Sequence, residues 1–266
     1  MCYDDIKQGD IMNMVNKDIF ENNELQKLYE QHKENIKDYP TAQQKEKFQA
    51  ECNRFSKIAK NYSPLCKGIY EKLISVVARK EYSTGGELLT RGYYCESPVL
   101  DIITGNRKRG KLLKRINSRS KPTYKYCFDK NNKLILINYL HSDCAEILEY
   151  ENNTVVGITL SLTTNEIICV TECVYDSRNR IVSFITAHSA FNDCSMNEIH
   201  KEAFIYNEKG LDTAEVFDYL YNEDCSNLNY DKYRFKHDEE GFLSEYTCET
   251  SMFKDDTYKV YVKRKV

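Results

Sequence analysis

One short unit recurs through the second half of this chain, and its chemistry is that of a tight turn. Phe128-Asp129-Lys130-Asn131-Asn132-Lys133-Leu134 is the first copy, and Tyr175-Asp176-Ser177-Arg178-Asn179-Arg180-Ile181 matches it position for position. Tyr206-Asn207-Glu208-Lys209-Gly210-Leu211 and His237-Asp238-Glu239-Glu240-Gly241-Phe242-Leu243 keep the frame, and Tyr150-Glu151-Asn152-Asn153-Thr154-Val155-Val156 is a looser copy. The pattern is a ring, an Asp or Asn, two free residues, then Asn or Gly. The Asp or Asn side chain caps the turn, and the closing Asn or Gly tolerates a positive φ. The unit therefore dictates an architecture and no reaction.

The sequence between the turns changes to a period of two. Tyr124, Tyr126 and Phe128 alternate with Lys125 and Cys127. Further strands are expected at about 133–139, 146–150, 155–161, 167–175, 180–188, 200–206, 211–220, 230–236, 242–249 and 258–263. Strands joined by such short turns are antiparallel neighbours, so the expected product is a long meander that coils or begins to close. The 21 tyrosines and 11 phenylalanines suit half-buried strands.

The earlier part of the chain reads differently. Leu25, Leu28, Tyr29 and His32 fall on one helical face, and Pro40 interrupts the stretch. Thr41 is placed to cap a second helix carrying Phe48, Cys52, Phe55 and Ile58, and Pro64 precedes a third with Ile69, Leu73, Val76 and Val77. Gly85-Gly86 ends the helical pattern, Val99–Ile103 reads as a short strand, and Arg107-Lys108-Arg109-Gly110-Lys111 opens a basic run closed by Pro122. The expected fold is α+β, an N-terminal helical segment packed with a long, curved antiparallel β-meander. Residues 1–80 form the helical segment, 81–123 a linker with the basic run, and 124–266 the meander.

Charge is nearly balanced overall but not along the chain. Residues 1–121 hold 23 Lys and Arg against 16 Asp and Glu, a net of +7, and residues 122–266 hold 15 against 25, a net of −10. The connectivity of a meander then sorts the acids. All the repeated turns lie at one rim of the sheet, and the longer connections, at about 140–145, 162–166, 189–199, 221–229 and 250–257, lie at the other. The latter carry Asp143, Glu166, Asp193, Glu198, Glu223, Asp224, Asp255 and Asp256 against Lys254 alone. Loops on a rigid scaffold are where binding concentrates, so an acidic rim is expected to recognise a basic protein surface. Asp143, Asp193, Glu198, Glu223, Asp224, Asp255 and Asp256 are the candidate partner-binding residues. Acids also serve simply to solubilise loops.

Other chemistries are weaker. The basic run 107–121 lacks interleaved aromatics, so a solvated linker is a better reading than nucleic-acid binding. Cys169 and Cys173 with His188 or His200 are the one metal-like set, but a spacing of four along a strand separates the thiols by about 13 Å. One zinc ion, with bonds to sulfur of about 2.3 Å, does not span that. No G-x-S-x-G, H-E-x-x-H or phosphate-cradling glycine loop is present. The expectation is a non-enzyme with no cofactor and no metal. A polar pocket holding two or more titratable groups within hydrogen-bond reach would revive an enzyme reading. The repeat rings Phe128, Tyr150, Tyr175 and Tyr206 are expected to pack as a ladder across hairpins rather than to stack bases or sugars.

The 11 cysteines are odd in number and form no Cys-x-x-Cys pair, so they read as reduced, buried residues. Met1-Cys2-Tyr3-Asp4-Asp5 has neither the basic start nor the apolar stretch of a secretory signal. No apolar run reaches the length of a membrane span. The expected location is the cytoplasm. Lys263-Arg264-Lys265 at the last strand discourages edge pairing, so the free chain is expected to be a monomer.

The ring-[DN]-x-x-[NG]-x-[LI] units of residues 124–249 resemble the Tyr-Asp (YD, or Rhs-type) repeats of bacterial polymorphic-toxin shells. Those shells are far longer and are exported. A few irregularly spaced copies behind a helical head are similar instead to the small cytosolic immunity proteins encoded beside such toxins. The resemblance implies an inhibitor that occludes a cognate toxin domain, for example a basic nuclease, and it transfers no catalytic residue. A scaffold or envelope-associated repeat module and an uncharacterised enzyme are the alternatives.

Overall fold

The computed structural model describes residues 41–87, 89–103, 109–117, 119–189, 194–221, 226–250 and 257–264; the side chains at 101–103, 221, 226–227, 250 and 257–264 are not part of that description. Helix α1 spans Ala42–Tyr62 and α2 spans Cys66–Ser75. Strand β1 is Arg79–Thr84, a 3-10 turn covers Gly92–Tyr94, helix α3 is Pro98–Ile103 and β2 is Lys111–Leu112. The meander follows as β3 Tyr124–Phe128, β4 Leu134–Tyr139, β5 Cys144–Glu151, β6 Thr154–Ser161, β7 Ile167–Tyr175, β8 Ile181–Ser189, β9 Met196–Asn207, β10 Gly210–Tyr221, β11 Ser226–His237, β12 Leu243–Thr250 and β13 Thr257–Arg264. The fold is α+β. Among the described residues one antiparallel sheet of 13 strands runs in the order β13 to β3, then β1 and β2.

Three turns are built alike. Asp129 Oδ1 accepts from Asn131 N and Lys133 N, Asp176 Oδ1 from Arg178 N and Arg180 N, and Asp238 Oδ1 from Glu240 N and Phe242 N, all at 2.8–3.0 Å. The closing residue is left-handed in each: Asn132 at φ 62°, Asn179 at 60° and Gly241 at 81°. The register slips by one residue beside each preceding ring, at Phe128, Tyr175 and His237. The Asn207 copy keeps part of the cap, accepting from Lys209 N, but Asn207 pairs with Gly210 (φ 140°) across a two-residue turn and the register slips beyond it, between Leu211 and Thr213. The Glu151 copy departs from the frame. Glu151 pairs with Thr154, leaving a two-residue turn with Asn152 at φ 51° and no register slip. Both copies that lack the Asp form the shorter turn.

Helices α1 and α2 lie as a layer on one sheet face. Thr41 caps α1, its Oγ1 accepting from Gln44 N while Gln44 Oε1 accepts from Thr41 N. Phe48, Cys52, Phe55 and Ala59 are buried against Leu136, Ile147, Ile158, Val170 and Ile185, and Phe48 stacks on Tyr219 at 5.1 Å. Arg54 of α1 grips Glu172 of β7 at 2.7 Å. Ile69, Leu73 and Val77 pack onto the same core, but Val76 follows the last helical residue and is half exposed. The first expected helix, around Leu25–His32, lies outside the described residues.

Two expectations for residues 81–123 change. Val99–Ile103 is helical, not a strand: Pro98 supplies a helical φ at the first position and Ser97 Oγ accepts from Leu100 N at 3.0 Å. The segment also contributes β1, which pairs with β3 from Arg79↔Phe128 to Ser83↔Tyr124. In the basic run Lys111, Lys114, Arg115, Arg119 and Lys121 are exposed, while Arg109 Nη1 donates to Tyr93 O at 3.2 Å.

The turn chemistry can be checked at one residue. Asn179→Ala should lower the unfolding free energy by about 1 kcal/mol, the cost of holding a Cβ in the left-handed region, while Asn179→Gly should leave it unchanged or raise it. Equal effects of the two substitutions in chemical denaturation would contradict the turn assignment.

Candidate functional site

The opposite sheet face is covered by residues 89–103, and an arginine is driven into it. Arg91 is fully buried and has φ 65°. Its Nε donates to Glu146 Oε1 at 2.8 Å, Nη2 to Thr171 Oγ1 at 2.5 Å and Nη1 to Cys173 Sγ at 3.3 Å. Glu96 Oε2 lies 2.9 Å from Nη1. Glu146, itself fully buried, also accepts from Thr171 Oγ1 at 2.9 Å and Tyr139 OH at 3.0 Å. Burial by itself would depress the guanidinium pKa, but the charges of Glu146 and Glu96 outweigh it and hold the pKa well above the ordinary arginine value.

Gly157 makes room for this group. A Cβ there would lie 1.9 Å from Glu146 Oε1, 2.2 Å from Thr171 Oγ1 and 2.5 Å from Arg91 Nη2. The polar belt continues across β9 and β10. Ser97 Oγ donates to buried Glu202 at 2.5 Å. His200 bridges Glu202 through Nε2 and Asp218 through Nδ1, both at 2.7 Å. Burial pulls its pKa down, but the two carboxylates more than offset this, raising it to about 10.

Toward the rim of repeated turns this face opens into a cleft of about 840 Å³. Tyr93, Tyr94 and Glu96 form one wall, and Tyr150, Asn152, Asn153, Tyr175 and Asp176 another. The repeat rings do not form a ring-on-ring ladder. They stand two strands apart, about 10 Å, beyond the 4.5–7 Å of aromatic pairs. Cations cover three of them instead: Arg79 lies over Phe128 at 3.7 Å, Lys133 over Tyr150 at 3.8 Å and Arg180 over Tyr206 at 4.5 Å. Burial, then the charge of Glu96, pushes the Tyr175 phenol up. The cleft thus brings titratable groups together, which the sequence alone did not locate.

The acidic rim divides between what is described and what is not. Asp143 is exposed and Glu166 half-buried in their connections, whereas Glu198, expected in a connection, is an exposed residue near the start of β9, paired with His188 and Leu220, because the strand begins at Met196. Asp143 accepts a short hydrogen bond from Thr163 Oγ1, and its carbonyl accepts from Leu162 N at 2.8 Å, which joins two neighbouring connections. Asp193, Glu223, Asp224, Asp255 and Asp256 lie outside the described residues. The strand ends that flank them, Ser189 and Met196, Tyr221 and Ser226, Thr250 and Thr257, are all on the rim opposite the repeated turns.

The cysteines play separate parts. The nine described cysteines form no disulfide with one another. Cys173 faces Arg91, whereas Cys169 Sγ is 3.8 Å from His188 Nε2, and Glu198 is the cross-strand neighbour of that histidine. Cys169 is buried, and that burial pushes its thiol pKa well up. A protonated thiol is a poor nucleophile.

No family model matches this chain, and no curated protein matches it.

Two outcomes follow from the buried belt. Gly157→Ala should destabilise the fold by about 1–3 kcal/mol or more through overpacking, while Gly68→Ala in α2, where the added Cβ meets nothing within 4 Å, should be neutral or stabilising. Similar melting temperatures for the two variants would contradict the seat described for Arg91. For His200 the folded pKa of about 10 stands above its ordinary 6.5. Its stabilisation is therefore complete below pH 6.5 and declines as pH rises toward 10. The stability gap between the native chain and His200→Gln should shrink steadily from pH 6.5 to pH 9, and a gap that widens would contradict the ion pairs.

Proposed function

We propose that this chain is a protein-binding inhibitor that docks through the rim carrying its longer connections, and that its partner is a toxin domain with a basic surface. One observation carries the reading. Strict nearest-neighbour strand order collects these connections on a single rim, where Asp143 and Glu198 stand exposed. The sequence adds Asp193, Glu223, Asp224, Asp255 and Asp256 to the same connections. Clustered acids steer a basic partner and favour the correct register by complementary charge. The turn units resemble those of polymorphic-toxin systems, and this supports a toxin as the partner and cytoplasmic neutralisation as the role. The two-sided core supports a rigid scaffold, on which loop positions are held rather than induced. No helix among the described residues is long and apolar enough to cross a membrane.

The test is capture from the native host with the purified chain as bait, at low and at moderate salt. One stoichiometric partner, bound less tightly at the higher salt, is expected. Charge reversal at Asp143 and Glu198, combined with Glu223, Asp224, Asp255 and Asp256, should weaken that partner by at least tenfold and flatten the salt dependence. Unchanged affinity in a titration of this variant would overturn the rim reading.

A further inference from the structure

We infer that the basic edge of the sheet, formed by β1, β2 and the segment leading into β3, is a binding surface for single-stranded nucleic acid. The sheet ends there in the order β3, β1, β2. Residues 102–128 contain no Asp or Glu. The surface uses none of the acidic-rim residues, so it goes beyond the docking proposed above.

Along the sequence the basic run lacks an aromatic residue, and folding supplies one from β1. Tyr82 pairs with Lys125 of β3, and on its other side Leu113 N donates to Tyr82 O at 2.8 Å. Thr84 pairs with Lys111, and Lys80 with Cys127. Side chains alternate along a strand. Cys127 packs in the core beneath the helices, whereas Ser83 meets Tyr126 OH at 3.1 Å on the other face. Lys80, Tyr82, Lys111 and Lys125 therefore share the helix-side face. Residues directly opposite stand about 5 Å apart and diagonal ones about 7–8 Å, so cations flank the ring on three sides. Lys80, Thr84 and Lys111 are exposed, and Tyr82 and Lys125 are half-buried, so α2 leaves this corner open.

Beyond β2 the chain adds Lys114, Arg115, Arg119 and Lys121, all exposed. A turn holds this segment: Asn117 Oδ1 accepts from Arg119 N at 2.9 Å, and Asn117 N donates to Ser120 Oγ at 3.0 Å. Among the described residues none of these cations pairs with a carboxylate, whereas Arg54, Arg180, Lys201 and Lys232 elsewhere each do. The acid of β1, Glu81, pairs with Tyr126 on the opposite face and is bound to Arg79 and Tyr94. Charges on an edge strand also prevent edge-to-edge pairing, but that role needs no ring among them. A lipid surface calls for several exposed apolar side chains, and Ile116 is the one large apolar side chain exposed on the described part of this segment. Cations that neutralise phosphates, set around a ring on which a base stacks, are the chemistry of single-strand binding, and such stacking accepts any base.

Fluorescence anisotropy tests this, with labelled dodecamers of uridine and of thymidine titrated with the full chain at about 50 to 200 mM salt; the two probes separate RNA from DNA as the ligand. At least one single strand should bind, with log K falling against log salt at a slope of about −2 to −4, the value for roughly three to six neutralised phosphates. Lys111→Gln, Lys114→Gln and Arg115→Gln combined should weaken binding at least tenfold and make the slope shallower. Tyr82→Leu, which keeps the charge, should weaken it at least fivefold with the slope and the circular dichroism spectrum unchanged. Asp143→Lys with Glu198→Lys should leave binding no weaker, which separates this surface from the acidic rim. Binding of neither single strand overturns the inference. Binding that Tyr82→Leu leaves unchanged overturns it as well. So does displacement of the oligonucleotide by poly-glutamate of the same charge, or by phosphatidylserine vesicles, as effective as displacement by unlabelled oligonucleotide.

Discussion

The structure depends on a carboxylate folded back onto its own turn. Asp129, Asp176 and Asp238 each accept two backbone N–H groups that a tight reversal would otherwise leave unpaired. The left-handed Asn or Gly then returns the chain alongside the strand it has just left. Each such unit forces antiparallel pairing between sequence neighbours. Repetition along the chain yields a sheet whose spatial order is its sequence order from β3 to β13. Two rims of unlike chemistry follow, side-chain-capped turns of two to five residues at one end and acid-bearing connections of four to six at the other.

A sheet this wide has two faces to cover, and the chain covers them by different means. Helices α1 and α2 lay an apolar stripe on one face. On the other, residues 89–103 bring Val99 and the Tyr93–Tyr94 pair onto an aromatic core, but they also insert Arg91 among Glu146, Thr171 and Cys173. Taking an arginine and a glutamate fully out of water is costly, and removing either partner alone leaves an uncompensated buried charge, typically about 3–5 kcal/mol. The arrangement is therefore selective rather than simply stabilising. Residues 89–103 settle where the fork of Arg91 finds all of its acceptors, with Gly157 as the vacancy that admits it. This placement also shapes the cleft, since Glu96 and Tyr93 to Tyr94 form its wall.

Sequence reasoning reaches the turns and strands because their signals are local. A period of two and an Asp-x-x-Asn or Asp-x-x-Gly spacing need only a few residues to be read. Ile167–Tyr175 is placed to the residue, and the other strands to within a few residues at either end. Val99–Ile103 fails because a short apolar run has no period of its own, although Ser97-Pro98 ahead of it is a helix start. Strand β1 escapes because Arg79–Thr84 does not alternate, and its place is set by pairing with β3, far along the chain. Arg91 has no local signature. Apart from nearby Glu96, its partners come from β5 and β7, and the hint is a glycine in the middle of a β-rich run at Gly157. The rings of the repeat are read correctly as a common face and wrongly as mutual partners, since strand spacing keeps alternate hairpins too far apart. Of the acidic rim, topology positions Asp143 and Glu198, and the other candidates rest on the strand ends around them.

The central claim is that turn chemistry alone separates the two rims. Spin labels placed through bio-orthogonal side chains, which leave the native cysteines untouched, measure it by pulsed dipolar spectroscopy. Labels at Asn131 and Ser177 sit on two repeated turns four strands apart, and strand spacing puts them at about 20 Å. Labels at Asn131 and Thr164 sit on opposite rims, and strand length puts them at roughly 30 Å. A shorter Asn131–Ser177 distance is the result this account predicts. A reversed order, with Asn131 nearer to Thr164 than to Ser177, would contradict it.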